Sequence, residues 1–297
     1  MAYWADWLIT GAGVVLVLVA LRDIFHTIWH PSGRGDLSHL VMRGLWRLGQ
    51  RRRERGTAGV LTGPIALALV IGMWLLLLIG GGALVYAPHL PEGFVYQSGL
   101  DVSERSQVLD AVYLSTVTLA TLGFGDIVPA AGWLRIAVPV QALIGFALLT
   151  GSVTWVLQVY PALIRRRSLA VRLAQLRTVP AEDLLHDPGS TLAAPLLDGL
   201  AGGLVQARVD VTQYNETYYF RDGMEDASLP AMLSVASRLG AAGRLAPRKD
   251  VRLAAGLLAT AIDDFAHVLD EQFLGVGGST ADILTAYARA HHHGGEG

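Results

Sequence analysis

Three observations predict an all-α membrane protein with an α-helical domain outside the bilayer. Three long apolar segments run through residues 4–164. Charged residues make up only 16% of the 297, against roughly 25% in soluble domains. Beyond residue 165, Gly- and Pro-containing turns separate helical stretches, with no strand–helix alternation. Cysteine is absent, which excludes disulfides and thiolate metal sites.

A bilayer core of roughly 30 Å needs about 20 helical residues. The first apolar segment, Trp4 to about Trp29, is read as one helix with Arg22 and Asp23 at the headgroups; a helix lying in the interface is the alternative. The second, Leu61 to Tyr86, carries no charge, and Pro64 fits its first turn, where a missing N–H is tolerated. The third, Trp133 to Ile164, would reach about 48 Å at 1.5 Å per residue, so it should project beyond the hydrocarbon. The predicted division is an N-terminal transmembrane helix 1–30, a basic juxtamembrane segment 31–60, a central domain 61–165, a helical domain 166–290 and a tail 291–297 that includes His291, His292 and His293. No cleaved signal peptide is expected, because the first basic residue, Arg22, follows the apolar run.

Arginine placement sets the predicted orientation. Arg51, Arg52, Arg53 and Arg55 precede the second segment and Arg165, Arg166 and Arg167 follow the third, so both flanks should face the cytoplasm. The loop between carries Glu92, Asp101, Glu104 and Asp110 against Arg105 and belongs outside. Both arginine clusters are expected to meet anionic lipids of a plasma (inner) membrane, with residues 166–290 cytoplasmic. The basic stretch is balanced by an acidic C-terminal half, a pattern that does not favour nucleic acid.

Between the second and third segments lies a stretch whose chemistry is unusual. Residues 110–120 are apolar or hydroxylated without Gly or Pro, enough for about three helical turns, with Asp110 as the expected cap. Gly123 and Gly125 follow in alternation, and glycine adopts φ > 0 without penalty. Alternating ordinary and φ > 0 residues turn successive carbonyls the same way. Four such segments around one axis stack rings of oxygens that can replace the water shell of a dehydrated ion. Irregular backbone at membrane depth is tolerated only where it is buried or lines a cavity.

The run Thr118-Leu119-Ala120-Thr121-Leu122-Gly123-Phe124-Gly125-Asp126, with Pro129 after it, resembles the pore signature of the potassium channel superfamily, usually T-x-T-T-V-G-Y-G-D. The resemblance covers residues 61–165 and implies a tetrameric pore fold of outer helix, pore helix, selectivity filter and inner helix. It implies that the carbonyls of Thr121, Leu122, Gly123 and Phe124 line K+ sites, that the Thr121 hydroxyl forms the innermost one, and that Gly125 completes the filter. Asp126 would brace the filter from behind and Thr118 support it. Phe124 replaces the usual Tyr and lacks its hydroxyl, which suggests a looser brace. A single copy of the segment implies a homotetramer. K+ is the permeant ligand, and no cofactor or enzyme chemistry is expected.

Inner helices of this superfamily often bend at a glycine, and Gly145 and Gly151 are the candidates, for bending or for close packing alike. Thr150, Ser152 and Thr154 are polar enough to border a wet cavity. Trp155 and Tyr160 could narrow its mouth, and Pro161 could kink the helix, so a gate is expected between Thr154 and Pro161. Arg43, Arg47 and Arg51 are four apart in a polar stretch, unlike a voltage sensor, and read as headgroup contacts.

The C-terminal helices are predicted at 168–177, 191–206, 209–219, 229–239, 248–273 and 280–290. The glycines 199, 202 and 203 lack a preceding strand and read as helix packing rather than a nucleotide loop. Asp23, His26 and His30 share a helix face, read as a polar interface with a metal or proton sensor as the alternative. Glu225-Asp226, Asp263-Asp264 and Asp270-Glu271 read as solvated faces rather than a cation site. Tyr214, Tyr218, Tyr219 and Phe220 read as core packing rather than a ligand pocket. Two rival functions follow from the same residues: a non-selective cation channel, which Phe124 argues against, and a non-conducting membrane scaffold.

Overall fold

A computed structural model describes residues 2–29, 35–51, 61–97 and 106–291. The chain divides into two compact units, residues 1–41 with 67–157 and residues 42–66 with 158–297. His30, Arg52, Arg53, Arg55, Asp101, Glu104 and Arg105 lie outside the described residues, as does the chain beyond His291.

Three helices are long and apolar enough to cross a membrane: α1 (Ala2–Ile28), α3 (Thr62–Tyr86) and α5 (Leu134–Thr178). Between α1 and α3 the structure adds α2 (Asp36–Arg51), a helix hidden in sequence by its charge. Its outer positions Arg43 and Arg47 are exposed, while Ser38, Met42 and Trp46, spaced by four, are buried. This is the stripe of an amphipathic helix.

In the first unit, α4 (Gln107–Leu119) sits between α3 and α5 in sequence. It starts three residues before Asp110, which occupies the first turn rather than the cap; Ser106 is the N-cap residue. A two-stranded antiparallel ribbon, absent from the all-α expectation, pairs β1 (Phe94–Tyr96) with β2 (Ile127–Pro129), Tyr96 opposite Ile127. Tyr86, Leu90, Phe94, Ala111, Leu114, Ile127 and Leu134 form one buried cluster. That cluster welds the end of α3, the ribbon, α4 and the start of α5 into a single frame.

Asp23 is buried on α1, where an unpaired carboxylate would be costly. It accepts hydrogen bonds from the Leu37 N–H (2.8 Å), the Ser38 N–H and hydroxyl, and the Trp74 indole N–H (2.8 Å). The carboxylate therefore caps the first turn of α2, a structural use in place of the interfacial face expected from sequence. No group of three or more His, Asp or Glu among the described residues is placed to hold a metal ion.

In the second unit, the predicted helix 168–177 is the end of α5, which continues through Pro161 without a break. A short α6 (Ala181–His186) follows, not foreseen from sequence. The predicted 191–206 and 209–219 helices form one helix, α7 (Ala193–Gln213), ending in a tight turn at Asn215–Tyr219. Next come α8 (Leu229–Arg244), α9 (Lys249–Leu269), which runs into a π-turn at Asp270–Leu274, and α10 (Thr280–Ala290). The core is built from Leu197, Leu200 and Leu204 of α7, Leu233 and Leu239 of α8, and Leu258, Ile262 and Phe265 of α9. Tyr218 stacks on Phe273 at 4.1 Å and joins Trp46, Tyr287 and His291. His291, expected in the tail, is instead 3% exposed, its two ring nitrogens facing the carbonyls of Tyr218 (2.9 Å) and Tyr287 (3.1 Å). Burial pushes its imidazole down to about 3, against the pull of those carbonyls.

Candidate functional site

The backbone from Ala120 to Asp126 leaves the C-terminal end of α4 in a conformation no regular element uses. Thr121 N–H bonds the Thr118 carbonyl and Leu122 N–H the Val117 carbonyl, each at 2.9 Å, closing the helix. Then φ is positive at Thr121 (57°), Gly123 (54°) and Gly125 (77°), with Leu122 and Phe124 between them on the ordinary side. The alternation expected at the two glycines therefore begins one step earlier, at a β-branched residue, where positive φ is costly. Nothing lies within 4 Å of a Cβ added at Gly123 or Gly125, so backbone angle rather than space demands glycine there.

The C-terminus of a helix carries partial negative charge, which favours a cation nearby. That end of α4 abuts Thr121. Along the same segment Leu122 is 58% exposed and Phe124 64% exposed in the single chain. Large apolar side chains beside open backbone carbonyls make a surface that buries itself against further copies or lipid.

What holds the segment is a set of polar braces, most of them invisible in the motif. The Tyr113 hydroxyl donates to Asp126 Oδ2 at 2.6 Å, so α4 is tied directly to the residue that ends the segment. Asp126 Oδ1 accepts the Ile127 N–H (3.1 Å), and its carbonyl accepts the Gln97 N–H (2.9 Å) from beside the ribbon. Tyr113 thus supplies a brace from a phenol that Phe124 lacks. At its other end α4 is anchored by the Gln107 amide, which donates to the carbonyls of Ala87 (2.6 Å) and Leu90 (2.7 Å). Midway, Ser115 donates to the Ile79 carbonyl (2.8 Å) and accepts from Gln141 (2.8 Å), while Tyr86 donates to Gln141 Oε1 (2.6 Å). Buried amides and hydroxyls in an apolar frame stand only when paired, and these link α3, α4 and α5. Gln141 was detectable in principle, as a lone polar residue within an apolar span. Tyr113 gives no local signal.

The remaining candidates separate. Thr118 is buried beneath the segment. Gly145 is a packing glycine: a Cβ there would lie 1.8 Å from the Leu119 carbonyl oxygen, so α5 passes the end of α4 at backbone contact. Gly151 faces Ile28 and Trp29. Trp155 does not border a cavity mouth but is buried against Trp74, ring centroids 5.5 Å apart. Ser152 is also buried, whereas the Thr150 and Thr154 hydroxyls bond back to Phe146 and Thr150 of their own helix. In the second unit Tyr160 is half-exposed beside Phe220, and Pro161 sits inside continuous helix.

The arginine cluster that ends the apolar part of α5 is not free for headgroups. Arg165 makes a two-pronged contact with Asp210 (2.8 and 2.6 Å), and that hydrogen bond raises its already high pKa. Arg166 is buried, donating to the Thr217 and Phe220 carbonyls and to Asp222, which also accepts from Arg167. Four residues of the acidic pairs have partners: Glu225 and Asp226 meet Arg177, Asp263 accepts from Thr280, and Asp270 accepts from the Val276 and Gly277 N–H groups.

A family model described as "ion channel" matches residues 72–160, a range that contains α4, the alternating segment and most of the frame. An uncharacterized membrane protein, YdjJ of Bacillus subtilis (strain 168), is 29% identical over 168 residues, covering 56% of this chain and 48% of that protein. Two-pore potassium channel 5 of Arabidopsis thaliana is 40% identical over 65 residues, covering 20% of this chain and 16% of that protein. The chain thus spans less than half the length of each of these relatives. No solved structure matches.

Proposed function

We propose that the chain is a member of the potassium channel superfamily and a potassium-selective channel subunit, a reading supported by the ion-channel family match and by the likeness to a two-pore potassium channel. Four copies surround one axis, and the carbonyls of Thr121, Leu122, Gly123 and Phe124 supply stacked oxygen rings for dehydrated K+, with Gly125 closing the outer end. The observation that carries this reading is the alternation of φ sign at Thr121, Gly123 and Gly125 immediately beyond the C-terminus of α4. It gives the carbonyls their common direction and the helix end its negative pole. Asp126, held by Tyr113, keeps the rings from collapsing when an ion leaves.

The protein works in the plasma membrane with residues 166–291 cytoplasmic. Opening is controlled at the filter or toward the cytoplasmic end of α5, without strong voltage dependence. The ion-paired arginines 165–167 make α5 and the 210–222 region of the helical domain one mechanical piece. A stimulus felt by that domain therefore reaches α5 directly. Anionic lipids have Arg43, Arg47 and the more C-terminal arginines of the 51–55 run as partners.

Purified full-length protein reconstituted in liposomes tests the proposal by K+ and Na+ flux under equal gradients. Flux of K+ well above Na+ is expected. Equal fluxes would make it a non-selective cation channel, and none under any condition a scaffold.

A further inference from the structure

His89, at the end of the second span, is held by elements from three directions. Its Nε2 lies 2.9 Å from Thr10 Oγ1 of α1. The Thr10 hydroxyl already donates to the Asp6 carbonyl (2.9 Å), so toward His89 it accepts, and Nε2 carries the proton. The imidazole meets two indoles, Trp7 of α1 at 5.3 Å and Trp133, just before α5, at 4.8 Å. Trp7 and Trp133 are themselves 5.7 Å apart, so the three rings form a closed triangle. Among the described residues no hydrogen bond engages Nδ1, so that nitrogen can take a proton without breaking one.

The same residue is wired to the strand after the alternating segment. The His89 carbonyl accepts the Gly93 N–H at 2.7 Å, and the Gly93 carbonyl accepts the N–H groups of Ala130 (2.9 Å) and Ala131 (3.2 Å). Ala130 directly follows β2. A Cβ at Gly93 would lie 2.9 Å from the His89 oxygen and 2.8 Å from Leu134, so this link has no slack. The charged side chains on the elements around the ring are Asp6 on α1, Glu92 beside β1 and Arg135 at the start of α5; burial lowers the pKa of the ring, and Asp6 opposes that in part.

We propose that His89 is a proton-operated clamp at the outer mouth: protonation holds the imidazolium against Trp7 and Trp133 and, through Gly93, steadies the strand that leaves the filter. An imidazolium gains from aromatic faces and donates a stronger hydrogen bond to Thr10 than the neutral ring does. Acid outside therefore holds α1 against the start of α5 and favours the conducting filter. This rests on the channel reading above for its effect on flux, but not for the proton site itself.

Two measurements on the full-length protein test it. In liposomes, K+ flux is followed while the pH on the face opposite the helical domain goes from about 7.5 to about 4.5, a range that starts above the ordinary histidine pKa and extends well below it because burial lowers that of His89. Flux should rise about fivefold or more, the lower range of site-to-site coupling. H89Q keeps a donor for Thr10 but cannot titrate, and should conduct with a flat pH profile. Separately, tryptophan fluorescence in detergent should show a titration in wild type that H89Q lacks, since imidazolium quenches indole. An H89Q profile that still follows pH, or fluorescence that titrates identically in both proteins, overturns the clamp. If no K+ flux occurs at any pH, the channel reading fails, and fluorescence alone decides the proton site.

Discussion

Residues 121–125 and the cluster around Tyr218 and His291 treat their surroundings in opposite ways. The first leaves Leu122 and Phe124 more than half exposed and holds its backbone in a conformation that ordinary residues resist. The second buries Tyr218, Tyr287 and His291 almost completely and sets both ring nitrogens of His291 opposite carbonyls, to one of which the neutral ring donates. The helical domain is thus a finished core, whereas the segment leaves large apolar side chains open, and under the proposed assembly further copies would cover them.

That contrast can be broken by substitution. The largest effect should come from the buried side: Arg166→Ala leaves two buried carbonyls without their donor and takes one of its two arginines from Asp222, and should cost about 3–5 kcal/mol of domain stability. Chemical unfolding of the detergent-solubilised protein measures it, and a loss near zero would show that the arginine cluster is solvated after all. Next comes the brace, Tyr113→Phe. Removing one hydrogen bond to the Asp126 carboxylate should cost about 1.5–3 kcal/mol, felt as reduced K+ over Na+ discrimination rather than as unfolding. Unchanged selectivity would mean that the ribbon alone suffices. Smaller again, Gly145→Ala must push α5 away from the Leu119 carbonyl, an overpacking cost of about 1–3 kcal/mol that part of the helix can absorb by shifting. Lower thermal stability with reduced flux is expected; a rise in open probability with full stability would restore the hinge reading.

Sequence exposed what is local. The apolar spans, the hydroxyl-rich helix and the paired glycines each announce themselves within a short window; α1, α3 and α4 follow the predicted segments to within a few residues, whereas α5 runs on past Ile164 to Thr178. What escaped depends on distant partners. Tyr113 became a brace only when the ribbon brought Asp126 beside it, and Gly145 became a contact only when α5 met Leu119. Arginines 165–167 looked like headgroup ligands because their acidic partners lie 45–56 residues further on. Charge hid the helical periodicity of α2. Pro161 suggested a break that the helix does not make, since neighbouring structure can tolerate one missing N–H. Phe124 brings no hydroxyl to this network, and the phenol that holds Asp126 comes from Tyr113 on α4.

The central claim is that backbone conformation at Gly123, and not the space around it, makes the segment an ion path. Semisynthesis with L-alanine or D-alanine at this one position tests it, because nothing lies within 4 Å to clash while φ is +54°. In the liposome assay the D-alanine protein should keep K+ flux above Na+ flux, and the L-alanine protein should lose that preference. Identical selectivity of the L-alanine protein and wild type would contradict the account.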